Sequence, residues 1–242
     1  RDNVTIAAGD TATTLINAVT NLDGLTFTSS GAVTFGNAAA TDQVNLTTAT
    51  TTIATTGVGD NLTFTSLVDG NFNLVLNVVG ATDFQGAVGV GGGTEIGSGT
   101  GAAIAINSTG ATEFDSTLET LSGITSGNTA GAITFRDNVT IAAGDTATTL
   151  INAITNLDGL TFTSAGNVTF GNAAATDQVN LTTAAVNITT TGTGALTFTS
   201  LVDGNFDLAL TVVGATDFQG AVGVGTGTEI GDGVGAAITI NS

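Results

Sequence analysis

The amino-acid sequence predicts an all-β protein built as a parallel β-solenoid, in which short strands wind into stacked coils. Three observations predict it: apolar–polar–apolar triplets recur along the chain, turn-forming residues separate them, and one long unit is repeated in tandem. Alternation of apolar and polar residues is typical of a strand with one buried face. Tandem repetition of a long unit is typical of solenoids.

The predicted strands follow from the triplets, whose middle residue is usually Thr or Asn and suits a half-exposed position. In chain order they are Val4-Thr5-Ile6, Leu25-Thr26-Phe27, Val33-Thr34-Phe35, Val44-Asn45-Leu46, Leu62-Thr63-Phe64, Phe72-Asn73-Leu74, Ile104-Ala105-Ile106 and Ile133-Thr134-Phe135. Turn formers such as Asp23-Gly24 and Gly91-Gly92-Gly93 lie between them. This rhythm predicts about 13–15 strands per unit. Residues 11–19 are ambiguous, because their apolar spacing also suits one short helix.

A β-sandwich and a parallel β-solenoid both use such strands, and the sequence favours the solenoid. A sandwich needs longer strands and usually large aromatic residues to fill a core about 10 Å thick, whereas Phe is the only aromatic residue here. A three-strand coil with its corners needs roughly 20–25 residues. We therefore expect about six coils per unit, and about 11 coils with a length of about 50–55 Å for the whole chain.

The domain organisation is set by the repeat. Residues 1–10 return letter for letter as residues 136–145, and 91 of 107 aligned pairs are identical when one residue near Asp60 is omitted. Residues 109–135 occur once. We predict two β-solenoid units, 1–135 and 136–242, the second incomplete and both belonging to a longer array. Since both ends interrupt the strand pattern, we expect the array to continue as a fibre.

Composition excludes several classes of function. The chain has 20 acidic residues against two Arg, with no Lys, His or Cys, and its net charge is −18. Cys or His metal sites and His-activated nucleophiles therefore cannot form. With two Arg and no Lys there is no cationic surface for nucleic acid, and binding to anionic lipid is disfavoured. No apolar run approaches the roughly 20 residues that cross a bilayer, so we expect no membrane insertion.

A resemblance to a known family rests on three motifs. They are the segment Val-Gly-Ala-Thr-Asp-Phe-Gln-Gly-Ala-Val-Gly at residues 79–89 and 213–223, Gly-Ala-Val-Thr-Phe-Gly at 31–36, and Ser-Leu-Val-Asp-Gly-Asn at 66–71. In these motifs the chain resembles giant bacterial surface proteins of the filamentous-haemagglutinin type. The resemblance lies in the style of the repeat and extends over nearly the whole chain. The resemblance implies a right-handed parallel β-helix, export to the cell surface, and adhesion, aggregation or matrix formation. It supplies no catalytic residues.

Candidate sites are few. A carboxylate pair for glycoside hydrolysis needs one acid with a raised pKa beside an ionised one, and the acids here instead lie in turns beside Gly or Asn. We expect neither enzyme activity nor a cofactor. Candidate ligands for structural Ca²⁺ lie in Asp69-Gly70-Asn71, Asp203-Gly204-Asn205, Asp60-Asn61 and residues 89–95. Because Ca²⁺ needs six to eight oxygen ligands, one such turn is insufficient without neighbouring coils. Diffuse attraction of counter-ions to the acidic surface is the favoured interpretation.

The two cations, Arg1 and Arg136, occupy equivalent positions in the two units, each beside an Asp (Asp2 and Asp137). A local ion pair at a corner is the favoured interpretation, worth about 0–1 kcal/mol. A contact with an acidic neighbouring fibre is the alternative.

Together these observations predict an extracellular structural rod or filament on a bacterial cell surface, used in adhesion, cell–cell aggregation or a biofilm matrix. Its expected partners are neighbouring repeats or chains of its own kind. The alternative is an adhesin module that binds a glycan or protein receptor through corner loops, with the solenoid as its stalk. Specific binding normally needs a loop peculiar to one unit, and the units differ mainly at residues 50–61.

Overall fold

A computed structural model of the chain describes residues 2–7, 12–39, 41–90, 95–142, 147–174, 176–224 and 229–241, which form short β-strands joined by turns. In the first unit the strands are β1 Val4–Ile6, β2 Ala12–Leu15, β3 Val19–Leu22, β4 Thr26–Ser29, β5 Ala32–Phe35, β6 Gln43–Leu46, β7 Thr51–Thr55, β8 Leu62–Phe64, β9 Leu67–Asp69, β10 Leu74–Asn77, β11 Thr82–Phe84, β12 Ile104–Ile106, β13 Thr112–Phe114, β14 Leu118–Thr120, β15 Ile124–Ser126 and β16 Ile133–Phe135. In the second unit they are β17 Val139–Ile141, β18 Thr148–Leu150, β19 Ile154–Asp158, β20 Thr161–Ser164, β21 Val168–Phe170, β22 Gln178–Thr182, β23 Val186–Thr190, β24 Leu196–Phe198, β25 Leu201–Asp203, β26 Leu208–Val212, β27 Thr216–Phe218 and β28 Ile238–Asn241. Among the described residues there is no helix long and apolar enough to cross a membrane.

The strands stack into three parallel sheets, which form the three faces of the solenoid. Face A is the ten-stranded sheet β1-β4-β7-β10-β12-β15-β18-β21-β24-β27, and face B is the nine-stranded sheet β2-β5-β8-β11-β13-β16-β19-β22-β25. Face C consists of β3-β6-β9 and β14-β17-β20-β23-β26-β28, and isolated bridges of Val88 to Val68 and to Leu118 connect these two parts. The chain visits faces A, B and C in that order, coil after coil.

The parallel β-solenoid predicted from the sequence is confirmed, and it has about nine turns. The expected count of about 11 coils is wrong because the coils differ in length and some are longer than expected. Ile124 follows its partner Ile104 after a short coil, whereas Ile104 follows its own partner Leu74 after a much longer one. The extra residues lie in corner loops and add no height. Nine steps of about 4.8 Å between strands give a rod of about 43 Å.

Alternation along most strands separates the core from the surface. In β8, Leu62 and Phe64 are fully buried while Thr63 between them is half-exposed. The triplet at Phe72-Asn73-Leu74 departs from this pattern, since β10 begins only at Leu74 and Phe72 packs half-buried at a corner. The ambiguous stretch forms strands β2 and β3 in its described part and no helix.

A continuous column of Phe rings fills the centre of the rod. Five rings on face B stack one above another with centroids 4.7–5.3 Å apart: Phe35, Phe64, Phe84, Phe114 and Phe135. Stacking of like rings is available only because the coils are in register, so that each ring lies over its counterpart one coil below.

Candidate functional site

The described cation, Arg136, lies on face B directly after strand β16, and its side chain is partly exposed. Its position follows from the coil stack. Because β16 lies between β13 and β19, a side chain that leaves the end of β16 reaches the surface of the coil before it and of the coil after it.

Three carboxylates from these two coils surround the guanidinium. Nη2 lies 2.9 Å from Glu113 Oε2 and Nε lies 2.9 Å from Asp115 Oδ1, both in the preceding coil. Nη1 lies 3.4 Å from Asp158 Oδ2 in the following coil. The arginine therefore joins three successive coils. The four side chains together carry a net charge of −2, so the cluster neutralises part of a locally acidic surface rather than creating a cationic one.

The electrostatics of the cluster differ between its members. Burial raises the pKa of Asp158 above its ordinary value, Arg136 opposes that rise, and Glu113 adds to it by repulsion. The hydrogen bond to Glu113 raises the pKa of Arg136, against the effect of burial. The Thr182 hydroxyl also donates a hydrogen bond to Asp158. Burial therefore opposes the ionisation of Asp158.

The predicted ion pair of Arg136 exists, but the predicted partner is wrong. Asp137, its neighbour in sequence, accepts a hydrogen bond from the backbone amide of Asn138 at 2.7 Å. The true partners lie one coil before and one coil after Arg136 along the chain. Sequence reasoning missed them because strand register, and not sequence proximity, brings one coil over the next. Arg1 lies outside the described residues.

A second feature is an open groove of about 420 Å³ at the end of strands β22 and β25 on face B. Most of its lining surface is apolar, and its lining residues include Leu181, the ring of Phe206 and the polar residues Gln178, Asn180, Thr183, Asp203 and Asn205. Ligand pockets are typically concave and mostly apolar, with a few polar groups that orient the ligand, and this groove has both kinds of group.

The backbone around this groove holds unusual conformations. Thr183 has φ of 68°, and its counterpart in the first unit, Thr48, has φ of 71°. A β-branched residue rarely adopts this left-handed region, and local strain of this kind persists only when the surrounding structure enforces it. Gly204 has φ of 132° and Gly70, its counterpart, has φ of 119°. The same strained corner is therefore built twice.

The candidate Ca²⁺ ligands are mostly engaged in backbone turns. Asp69 and Asp203 accept hydrogen bonds from the amides of Gly70 and Gly204 at 2.8 and 3.0 Å. Asp60 accepts one from the amide of Gly57 at 2.7 Å. Residues 91–94 of the fourth candidate lie outside the described residues. Within the described part of the chain, no three acidic residues converge in a way that would hold a metal ion.

The fold and its surface define a class: a parallel β-solenoid with an apolar interior and an acidic exterior. Comparison with protein-family models finds no match to this chain, and searches of curated proteins and of solved structures find none either.

Proposed function

We propose that the protein is an extracellular structural β-solenoid, which forms a rod or filament for adhesion, cell–cell aggregation or a biofilm matrix. The likeness of its motifs to surface proteins of the filamentous-haemagglutinin type supports a location on a bacterial cell surface. The proposal includes no catalytic role, in keeping with a chain that has no His, Cys or Lys.

The continuity of the coil stack across the boundary between the two units carries this proposal. Strands of the first unit pair directly with strands of the second on every face: β15 with β18 on face A, β16 with β19 on face B and β14 with β17 on face C. Among the residues described at this boundary, no cap or linker separates the units. Adding units therefore lengthens a single rod, which is the geometry that a filament needs.

A further unit would be held by the same contact that joins coils inside the stack. Val139 of β17 and Ile106 of β12, each with a coil on either side, are 1% exposed and fully buried. The further unit can belong to the same polypeptide or to a second copy docked end to end.

Electron microscopy of native material with a label specific for this chain tests the proposal. We expect unbranched filaments about as wide as one solenoid. Compact labelled particles, or label confined to the cell interior, would contradict it. Electrophoresis under full denaturation then separates the two modes of growth: a covalent array runs as one very long polypeptide, and end-to-end docking resolves to short chains.

A second function, binding of a glycan or protein receptor, is favoured by the groove at Gln178–Phe206 and its strained corner. Asn205 at this corner is exposed and makes a suitable probe. If this corner binds a glycan, the double variant Asn71→Ala/Asn205→Ala, which changes both copies of it, abolishes binding to a glycan array, whereas a change at exposed Thr140 on another coil leaves binding intact. Equal binding by both variants would remove this second function.

A further inference from the structure

The two units do not occupy the same faces of the solenoid. Strands β1 and β17 are equivalent in sequence, yet β1 lies on face A and β17 on face C. The same displacement holds for every matched pair: strands of face A in the first unit return on face C, those of face B on face A, and those of face C on face B. Examples are β5 and β21, which move from B to A, and β6 and β22, which move from C to B.

Counting strand positions explains the displacement. From β1 to β17 there are sixteen strand steps, and the bridge position at Val88 on face C adds a seventeenth. With three positions per coil, one unit spans five and two-thirds coils. The single-copy segment, residues 109–135, supplies four of these positions through β13 to β16. A unit with one more strand would have closed an integral number of coils and kept every strand on its face.

The column of Phe rings shows the same displacement inside the rod. On face B it runs from Phe35 to Phe135, where the next coil places Leu157 over the last ring. Phe162 on face C then contacts Phe135 and Phe170 with edge-to-face geometry at 6.0 and 5.7 Å. Stacking resumes on face A from Phe170. The column thus changes face at the unit boundary, and one edge-on ring joins its two parts.

We propose that the repeated unit, residues 1–135, is the building block of a three-sided screw, so that each added unit presents its whole surface one face further around the rod. The inference rests on the proposed fibre function and defines the geometry of the fibre's interaction surface. Units recur about every 27 Å along the axis, and a given surface returns to the same face only after three units, about 17 coils or about 82 Å.

The partner that this surface fits is a second rod of the same chain. Since all three faces carry the same succession of surfaces, a lateral contact that is favourable on one face is equally available on the other two. We expect rods of this kind to assemble into bundles with neighbours on every side. A unit with an integral number of coils would have three different faces and would favour flat ribbons through one of them.

Cysteine cross-linking in the 242-residue chain tests the displacement without any fibre, because the natural sequence has no Cys. Thr140, on β17, pairs with Glu119 on face C. If the units kept their faces, Thr140 would instead lie on face A over Thr125 of β15. We expect the double variant Glu119→Cys/Thr140→Cys to form a disulfide and Thr125→Cys/Thr140→Cys to form none, since bridged Cα atoms lie within about 4.4–6.8 Å.

The pair Thr140→Cys/Thr163→Cys, neighbours within one unit, is the control for folding and reactivity. Spin labels at the same positions measure the distance between them without forming a disulfide. We expect strong dipolar broadening for the pair at positions 119 and 140 and weak broadening for the pair at positions 125 and 140. The displacement is overturned if positions 125 and 140 are close together. It is also overturned if positions 119 and 140 are far apart while the control pair stays close.

Helical reconstruction of native filaments tests the assembly. We expect a rise of about 27 Å per unit, from about 4.8 Å per coil, with a rotation of about one third of a turn. Filaments with that rise and no rotation overturn the screw and leave the fibre function standing. Absence of filaments overturns the fibre function while the cross-links still decide the displacement.

Discussion

At the scale of single residues, the contribution of a side chain to stability depends on whether it points into the core or towards solvent. Phe64 is fully buried between Phe35 and Phe84, with ring centroids 5.3 and 4.7 Å away. Thr63, the next residue towards the N-terminus, is half-exposed on the outer side of the strand. Removal of a buried ring leaves a cavity that the stacked coils on either side cannot close.

Phe64→Ala is therefore expected to lower the free energy of unfolding by about 3–5 kcal/mol. Thr63→Ala is the matched control, and we expect a change within about 0.5 kcal/mol. Urea titration followed by circular dichroism measures both. Similar losses for the two variants would contradict the assignment of inner and outer residues.

The Arg136 cluster predicts a modest, salt-dependent contribution to stability. Its pairs with Glu113 and Asp115 are largely exposed, and pairs of this kind contribute about 0–1 kcal/mol. Arg136→Gln should lower the free energy of unfolding by about 1 kcal/mol at low salt, where the three carboxylates then repel one another, and by less in about 0.5 M NaCl. Asp137→Asn is the control, because Asp137 takes no part in the cluster. A larger effect from the control would show that the sequence neighbour is the true partner.

Asp158 predicts a definite sign for the effect of pH on stability. Because burial raises its pKa in the folded chain above the ordinary value of 3.8, the folded chain keeps this proton to higher pH than the unfolded chain. Its contribution to stability is present below the ordinary pKa and is lost as the pH rises through the raised value. We expect the melting temperature of Asp158→Asn, relative to the natural chain, to increase from pH 3 to pH 6. A decrease would mean that attraction to Arg136 outweighs the cost of burial.

At the scale of elements, the corners determine how closely one coil approaches the next. Gly70 follows β9 with φ of 119°, and a Cβ there would lie 2.2 Å from the carbonyl oxygen of Leu46 in the coil below. Gly204 repeats this arrangement against Leu181 in the second unit. The absence of a side chain lets the backbone of one coil rest on that of its neighbour.

Gly204→Ala should consequently destabilise the chain by roughly 1–3 kcal/mol from the backbone conformation alone, with the steric clash in addition. Gly59→Ala is the control, because Gly59 also has positive φ but has open space where the Cβ would be placed. Thermal unfolding compares the two, and hydrogen exchange of the amides in β22 and β25 locates the damage. An equal loss at Gly59 would show that the clash with the coil below contributes nothing.

At the scale of the whole molecule, shape and charge act against each other. The coil stack makes a rod whose long sides are available for contact with other rods. The net charge of −18 makes those sides repel one another over a Debye length of about 10 Å at 0.1 M ionic strength.

Lateral association should therefore depend on salt or divalent cations. We expect chelation at low salt to disperse bundles, measured by light scattering, while circular dichroism shows that each rod stays folded. Bundles that persist unchanged through desalting and chelation would show that their contacts are apolar or hydrogen-bonded.

Sequence alone determined the fold class, the inward and outward residues of most strands, and the tandem repetition. Each of these depends on local alternation and on repetition, which the order of residues displays directly. It also predicted an ion pair for Arg136, because an arginine on a strongly acidic surface lies close to carboxylates.

Only the tertiary structure decided which carboxylates those are, how many coils there are, and which face each unit occupies. The ion-pair partners and the number of coils depend on the lengths of the corner loops. The face of each unit depends on the number of strand positions in a unit, which is not a multiple of three. Loops of different length, such as those that make the coil from Leu74 to Ile104 longer than the coil from Ile104 to Ile124, leave the triplet pattern unchanged but shift the register of everything after them. For that reason Arg136 contacts Glu113 and Asp158. The strand count is the reason that two nearly identical units face different sides of one rod.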